Sequence, residues 1–323
     1  MIKSNPGIDQ GSIQPQSMKP LKKESFLSYI IRNKWLYIFL IPGFLYLLVF
    51  KYVPMFGIVV AFKNLSLVKG IWGSDWIGFQ NFEILFESSH FHRVLRNSLL
   101  LSVYQIVLGF PAPILLALML NEVRHMLFKR ITQTILYLPH FIAWVVLSGI
   151  IINFLSPSSG LVNYVISSFG YDPVKFLMEP GYFRTIIVSA EIWKEVGWGT
   201  IIYLAAMTGI DPTLYESATI DGASRMQRIR YITIPGIVTT VVILLLLKLG
   251  NILDNGFEQV FLLYNPLTYE TADVFETYTY RIGLQDGRLS YATAIGLFKS
   301  VVGFVLIISA NYASRKISGK SIW

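Results

Sequence analysis

The chain has 323 residues, 54% of them hydrophobic and 14% charged, with a mean hydropathy of +0.54, which is too apolar for a water-soluble protein of this length and predicts a chain embedded in a lipid bilayer. It contains no cysteine and only four histidines without zinc-ligand spacing, so disulfides and cysteine-ligated zinc are excluded and no metal site is indicated. The net charge of +8 does not indicate a nucleic-acid partner, because the basic residues are segregated between apolar spans.

Six apolar spans follow one another along the sequence, each near or above the roughly 20 residues needed to cross about 30 Å of hydrocarbon. They predict an all-α fold, a polytopic membrane bundle of six transmembrane helices. One domain, 35–313, is expected between tails at 1–34 and 314–323, and the first tail lacks the features of a removable signal peptide. The spans are 35–62, 98–120, 131–155, 185–207, 236–256 and 291–313.

The basic residues outside the spans lie mainly on one side of the predicted bundle. The two tails and the segments 124–130 and 225–230 hold most of these lysines and arginines, and the positive-inside rule places such segments in the cytoplasm. We therefore predict a multi-pass protein of the cytoplasmic membrane with both termini inside the cell. Some of these residues are expected to contact lipid phosphates: Lys22, Lys23, Arg225 and Arg228.

Charged side chains interrupt the fourth span. Glu191, Lys194, Glu195 and Trp198 are spaced i, i+3, i+4 and i+7, which puts them on one helical face. Ionisable groups within a membrane cost several kcal/mol unless they are paired or face water, so we predict a polar substrate pocket between spans four to six. Tryptophans favour a sugar, whose C–H face stacks on an aromatic ring. The candidate pathway residues are Glu191, Trp193, Lys194, Glu195, Trp198, Lys248, Asn251, Asn255 and Lys299.

A second polar face is predicted in span five, where Lys248, Asn251 and Asn255 are spaced i, i+3 and i+7. Lys248 is expected near the midplane of the membrane. Together with Lys194 and Lys299 it gives the bundle a local surplus of deep positive charge, which leads to the hypothesis of an acidic substrate. An internal ion-pair network that only fixes helix register is the alternative to a substrate pocket.

A polar island, 209–235, separates spans four and five. Asp211 followed by Pro212 is a helix start, with an N-cap acid and a proline at the first helical position. The Asp221-Gly222 dipeptide is expected to end this helix after little more than two turns, and Ser224 begins an S-x-x-Q capping box that starts a second short helix. The sequence therefore predicts two short helices joined by a turn, which we call the elbow.

The elbow also carries a motif by which the chain resembles a known family. Its E-S-A, D-G-A and I-T-I-P stretches resemble the E-A-A, D-G-A, I-x-L-P signature of the permease subunits of binding-protein-dependent ABC importers, with Ser217 and Ile234 departing from the usual Ala and Leu. Two more stretches, W-I-G-F-Q-N-F (76–82) and L-P-H-F (138–141), resemble sugar permeases, although an interfacial aromatic belt explains the first equally well and His140 is expected to be a packing residue. The positions matched to the signature, and hence implied in coupling, are Glu216, Ser217, Ala218, Asp221, Gly222, Ala223, Ile232 and Pro235.

The resemblance implies a type I ABC importer permease fold, in which the elbow is the coupling helix that docks into a groove of an ATPase subunit. The implied protein partners are a second permease subunit, giving a heterodimer, an ATPase subunit dimer and an extracytoplasmic solute-binding protein. The implied substrate is an oligosaccharide of the complex or acidic kind, such as pectin or alginate fragments. The chain has no nucleotide-binding motif, so we expect no cofactor and no enzymatic activity in this subunit, with ATP-Mg bound and hydrolysed on the ATPase subunits.

An ion-gradient-driven secondary transporter is the main alternative function. Charged residues within the spans fit such a transporter, but inverted repeats are not evident and the elbow would have no role in it. A membrane-embedded hydrolase is disfavoured because the sequence has no cysteine, no G-x-S-x-G and no H-E-x-x-H.

Overall fold

In a computed structural model of the protein, residues 32–318 are described, without the side chains of 317 and 318. Most of the predicted tail 1–34, including Lys22 and Lys23, and residues 319–323 of the predicted C-terminal tail lie outside the described residues. The chain divides into two compact units between Phe56 and Gly57. The single transmembrane domain over 35–313 stays a prediction.

The first unit contains an apolar helix with irregular winding at its end. Helix α1, Lys34–Leu47, has Pro42 in its interior and no buried residue. A π-helical segment, Leu48–Tyr52, follows, and α2, Val53–Met55, has Pro54 in its first turn. Proline lacks a backbone donor and crowds the preceding turn, which accounts for the change of helix type here.

The second unit contains the remaining helices and one small sheet. Strands β1, Lys63–Asn64, and β2, Asp75–Trp76, pair antiparallel, with Lys63 opposite Trp76. Irregular helical segments occur at Phe56–Phe62, Gln105–Gly109, Leu138–Phe141, Ile229–Thr233 and Arg281–Gln285. The helices are α3 (Gly70–Gly73), α4 (Gln80–Glu87), α5 (Ser89–Tyr104), α6 (Pro111–Asn121), α7 (Met126–Tyr137), α8 (Trp144–Phe154), α9 (Leu161–Ser168), α10 (Pro180–Thr208), α11 (Pro212–Ile220), α12 (Arg225–Arg228), α13 (Ile234–Gly250), α14 (Phe257–Leu263), α15 (Tyr269–Ala272), α16 (Phe275–Tyr280) and α17 (Leu289–Ser318).

The helices confirm the predicted helical membrane fold. Within residues 32–318, four helical segments are long and apolar enough to cross a membrane, and a pair bent by 98° gives a fifth candidate if the pair is one span. The one predicted span that is missing from this set is the fourth, 185–207. It corresponds to α10, which has 29 residues and is therefore about 44 Å long, but carries too much charge to be recognised by its apolar composition. The four segments are Lys34–Phe62, Ser89–Asn121, Arg225–Gly250 and Leu289–Lys316, and the bent pair is Met126–Phe141 with Trp144–Phe154.

Three predicted span boundaries are wrong. The span predicted at 131–155 is broken between α7 and α8, because Pro139 cannot continue the regular helix. The span predicted to reach 256 ends at Gly250, where Gly303 of α17 packs so closely that a Cβ on it would lie 2.8 Å from the Gly250 carbonyl oxygen. At the other end of the chain, α17 continues to Ser318, beyond the predicted limit of 313.

Helix α10 is the central support of the second unit. It packs against α6, α7, α13 and α15, and small residues bring its neighbours close. A Cβ on Gly197 would lie 1.9 Å from the Leu136 carbonyl oxygen of α7, while the Thr200 hydroxyl donates to the Pro113 carbonyl of α6 at 3.2 Å. These contacts fix how the charged face of α10 is presented to the surrounding helices.

Candidate functional site

The elbow has the local structure that its sequence predicts. The Asp211 carboxylate caps α11 by accepting the backbone N–H of Thr213 at 2.9 Å, and this hydrogen bond lowers the pKa of Asp211. Helix α11 ends at Ile220, and Gly222 turns the chain with a φ of 75°, a conformation that glycine adopts without steric cost. Ser224 then forms a complete capping box, so both predicted short helices and the predicted turn are confirmed.

The positions of the family signature form an exposed surface on the elbow. Glu216, Ser217, Asp221, Gly222 and Pro235 are exposed, whereas Ala218, Ala223 and Ile232 are half-buried. Sequence reasoning missed two large apolar side chains beside them, Ile220 and Met226, which are 86% and 71% exposed. The available signal in the sequence was a large apolar residue beside the motif. Such side chains mark protein contacts when they are exposed and cluster. The role of these residues in coupling stays a prediction.

Two side-chain contacts hold the elbow in shape. The Tyr215 hydroxyl and the Thr233 hydroxyl lie 3.0 Å apart, which ties α11 to the entry of the next long helix. The Arg228 guanidinium donates to the Thr219 hydroxyl at 2.7 Å. Arg228 was predicted to meet lipid phosphates, but its half-buried side chain bridges the two short helices because the Gly222 turn folds them against each other.

Four of the predicted pathway residues line one cavity of about 300 Å³. The cavity lies between α10, the irregular turn that precedes α6, and the end of α13. It combines two carboxylates, one ammonium group and an indole ring, which are groups able to bind the hydroxyls and the C–H face of a sugar. The polar and aromatic side chains that line this central cavity are Gln105, Phe110, Glu191, Glu195, Trp198 and Lys248.

Glu191 is the anchor of the central cavity. One carboxylate oxygen accepts a hydrogen bond from the Gln105 side chain at 2.5 Å, and the other lies 3.6 Å from the Lys248 ammonium group. The side chains of Glu191 and Lys248 are 21% and 37% exposed, so the pair retains access to the cavity. The sequence analysis did not identify Gln105. The available signal was an amide side chain within an otherwise apolar span.

Glu195, His140 and Trp198 form the second wall. His140 Nδ1 lies 2.8 Å from Glu195 Oε2, and the imidazole stacks on the Trp198 indole with ring centroids 4.3 Å apart. Lys194 points away from the cavity and donates to the His140 carbonyl. His140, expected to be a packing residue, therefore positions the Trp198 ring as well, since it holds one face of that ring.

Five of the nine predicted pathway residues do not line the central cavity, so the structure does not form the single predicted pocket around them: Trp193, Lys194, Asn251, Asn255 and Lys299. Trp193 lines a separate, apolar cavity of about 750 Å³. Asn251 is exposed and donates to the Leu247 carbonyl, while the buried Asn255 donates to the Ser102 hydroxyl at 2.9 Å. Both asparagines leave the face of Lys248 because the helix ends at Gly250, and the helical spacing on which the prediction rested stops there.

The predicted surplus of deep positive charge is also wrong. Lys194 lies 3.5 Å from Glu195, Lys248 pairs with Glu191, and Lys299 pairs with Glu276 in another cavity. Every deep lysine therefore has a carboxylate partner. Lys248 lies in the last turn of α13 rather than near the middle of its helix.

The Lys248–Glu191 pair leads to a prediction for stability. Lys248→Met is expected to lower the free energy of unfolding by about 1–2 kcal/mol, because the Glu191 side chain loses its ion-pair partner. The loss is smaller than for a fully buried pair because this pair is partly exposed. The double variant Glu191→Gln/Lys248→Met removes both charges and is expected to recover most of that loss. Thermal unfolding of the four proteins of this mutant cycle measures the coupling, and strictly additive effects would contradict it.

The chain is similar to membrane components of transport systems over most of its length. The family described as "Binding-protein-dependent transport system inner membrane component" matches residues 109–319. Protein LplB of Bacillus subtilis (strain 168) is 46% identical over 299 residues, which cover 93% of this chain and 94% of that protein. The polygalacturonan/rhamnogalacturonan transport system permease protein YteP of the same organism is 44% identical over 305 residues, covering 94% and 95%.

A solved structure is similar to this chain over most of the chain's length. It is a chain of a bacterial ABC transporter involved in the import of the acidic polysaccharide alginate, with a TM-score of 0.85 and 48% sequence identity, covering 91% of this chain and 100% of that one. A second structure of a bacterial alginate ABC transporter, in complex with an alginate pentasaccharide-bound periplasmic protein, gives a TM-score of 0.85 and 47% identity, covering 93% and 100%.

Proposed function

Because the chain belongs to the family of binding-protein-dependent transport system inner membrane components, we propose that it is a permease subunit of an ABC importer for an acidic oligosaccharide. A second permease subunit completes the pathway, an ATPase subunit dimer binds and hydrolyses ATP-Mg, and an extracytoplasmic solute-binding protein delivers the substrate. The chain itself carries no catalytic role. Both termini and the elbow face the cytoplasm.

The elbow is the observation that carries this proposal. Most of its signature positions are exposed, between two long helices, and the apolar Ile220 and Met226 beside them are not covered by any part of residues 32–318. A protein partner would bury these side chains at a gain of about 25 cal/mol per Å². A secondary transporter driven by an ion gradient has no need of such a surface.

The substrate class is supported by the relatives and by the central cavity. YteP is named for polygalacturonan and rhamnogalacturonan, and the similar structures belong to importers of alginate; these are acidic polysaccharides. The Trp198 ring and the carboxylates of Glu191 and Glu195 suit sugar C–H faces and hydroxyls. Since Lys248 is already paired with Glu191, this cavity does not by itself select a carboxylate.

The proposal predicts a substrate preference in the assembled importer. The tagged chain, purified from its native membrane, is expected to bring with it an ATPase and a second permease, which mass spectrometry identifies. With the binding protein added, trigalacturonate is expected to stimulate ATP hydrolysis several-fold, whereas its fully methyl-esterified form, which has the same shape without charge, stimulates little.

Two outcomes contradict the proposal in different ways. Equal stimulation of ATP hydrolysis by the acidic and the esterified trisaccharide would reject the acidic substrate. The proposed function as an ABC importer subunit would still stand. Uptake by vesicles that depends on a proton or sodium gradient and continues without ATP would reject the importer in favour of a secondary transporter.

A further inference from the structure

A basic cavity of about 330 Å³ lies in the second unit, apart from the central cavity. It is formed by the start of α5, the segment from α15 to the turn after α16, and the start of α17. We call it the arginine cavity. Its basic and aromatic lining residues are His90, Arg93, Tyr269, Tyr278, Arg281, Arg288 and Tyr291.

The arginine cavity lies at the end of α10 that is remote from the elbow. The Thr271 hydroxyl of α15 donates to the Pro180 carbonyl at the first residue of α10, at 2.7 Å, and Tyr269 of the same short helix lines the cavity. The elbow begins after the other end of α10, at Pro212, and the 29 residues of α10 separate the two ends by about 44 Å. If the elbow faces the cytoplasm, this cavity faces the side from which substrate arrives.

Two of its three guanidinium groups form no ion pair within residues 32–318. Arg281 is paired with the buried Asp273. The Arg93 guanidinium donates to His90 Nδ1 at 2.9 Å, and its Nε is buried without a hydrogen-bond partner among residues 32–318. Arg288 stacks over the Tyr291 ring at 4.7 Å, and within the described part of the chain no ion pair is formed by Arg93 or Arg288.

Uncompensated guanidinium groups around a cavity favour an anion. Arginine binds a carboxylate through two parallel N–H donors, a geometry that lysine does not offer. The volume falls in the range of about 300–1,000 Å³ typical of small-molecule sites, which is more space than a lone carboxylate needs. The tyrosine rings supply an aromatic wall for a sugar ring beside the charged group.

We propose that the arginine cavity binds a uronate residue of the oligosaccharide, with Arg93 and Arg288 holding its carboxylate. This inference rests on the proposed function and adds the site at which the carboxylate of the substrate is bound. The central cavity, whose lysine is already paired, then receives a substrate that has been selected by charge elsewhere in the same subunit.

Direct binding to the assembled importer tests this site. The complex in lipid nanodiscs, without the binding protein, is titrated with trigalacturonate and with its methyl ester. Arg288→Gln is the main variant because its side chain is exposed and its replacement should not disturb folding; Arg93→Gln is the second. Each is expected to weaken trigalacturonate binding about tenfold or more, since the carboxylate loses its charged hydrogen-bond donors, and to leave the weak binding of the ester unchanged.

Arg96→Gln is the matched control, because Arg96 is exposed on the same helix but does not line the cavity. It is expected to bind both ligands as the parent does. Absence of trigalacturonate binding to the parent, or parent-like binding by both cavity variants, would overturn the proposal. So would variants that bind trigalacturonate normally but dock the solute-binding protein weakly, because the cavity would then hold a carboxylate of that protein.

Two measurements, trigalacturonate binding and stimulated ATP hydrolysis, distinguish failure of this inference from failure of the proposed function. If trigalacturonate stimulates the parent importer while the cavity variants bind it normally, only the arginine cavity is rejected. If the parent and the variants show the expected difference in binding but no uronate stimulates ATP hydrolysis, the site stands and the transport proposal fails.

Discussion

Gly222→Arg in the elbow is expected to abolish ATP-driven transport while the chain remains inserted in the membrane. Gly222 has a φ of 75°, and a residue with a Cβ pays about 1–2 kcal/mol in that conformation. No atom lies within 4 Å of the Cβ position, so the loss would come from the backbone and from arginine bulk on the docking surface. A docking energy reduced by about 1.4 kcal/mol is a tenfold loss of affinity. Uptake and co-purification of the ATPase measure the effect.

Gly170→Arg provides the matched control for this experiment. Gly170 also has a positive φ, 85°, with open space around its Cβ position, but it lies in the turn after α9, far along the chain from the elbow. The same strain is therefore introduced without touching the elbow, and ATPase co-purification should persist. Charge reversal by Glu216→Lys is expected to act like Gly222→Arg. Normal uptake by a well-expressed Gly222→Arg protein would reject the role of the elbow in coupling.

Gly197→Ala is expected to have the largest effect on folding of any single methyl addition in α10. The added Cβ would lie 1.9 Å from the Leu136 carbonyl oxygen and 2.5 Å from its carbon. These are backbone atoms, which cannot relieve the clash by changing rotamer as a side chain can. Helices α7 and α10 must then separate. Overpacking of this kind costs about 1–3 kcal/mol and sometimes more, so we expect a clear fall in the thermal unfolding temperature and less assembled complex.

Gly181→Ala tests whether the close approach, rather than the loss of a glycine, is responsible. Gly181 lies in the same helix with no atom within 4 Å of its Cβ position, so alanine there adds helix propensity without a clash and should leave stability equal or slightly higher. Similar unfolding temperatures for both variants would mean that α7 and α10 are not packed as the structure has them.

Local interactions made the elbow predictable from sequence. The Asp211 cap, the Gly222 turn and the Ser224 capping box each join residues two or three positions apart, so their geometry depends on few atoms outside the segment. The predicted spans were also found as helices, because their apolar composition is a property of each segment alone.

The partners of the charged residues were not predictable in the same way. The helical spacing predicted Lys248, Asn251 and Asn255 on one face. The helix instead ends after Lys248, at Gly250, where Gly303 of α17 packs closely, so the two asparagines no longer follow that spacing. The hydrogen bond from Gln105 to Glu191 joins residues 86 positions apart. Neither contact leaves a periodic signal in the sequence.

The sequence by itself therefore determined the membrane location, the helical class and the elbow with its motif, since each follows from composition or from neighbouring residues. Only the tertiary structure decided which carboxylate pairs with which lysine, and that Arg93 and Arg288 line one cavity without an ion pair among residues 32–318. The physical reason is that electrostatic pairing depends on distances between helices, and these are set by close packing such as the approach of Gly197 to the Leu136 backbone.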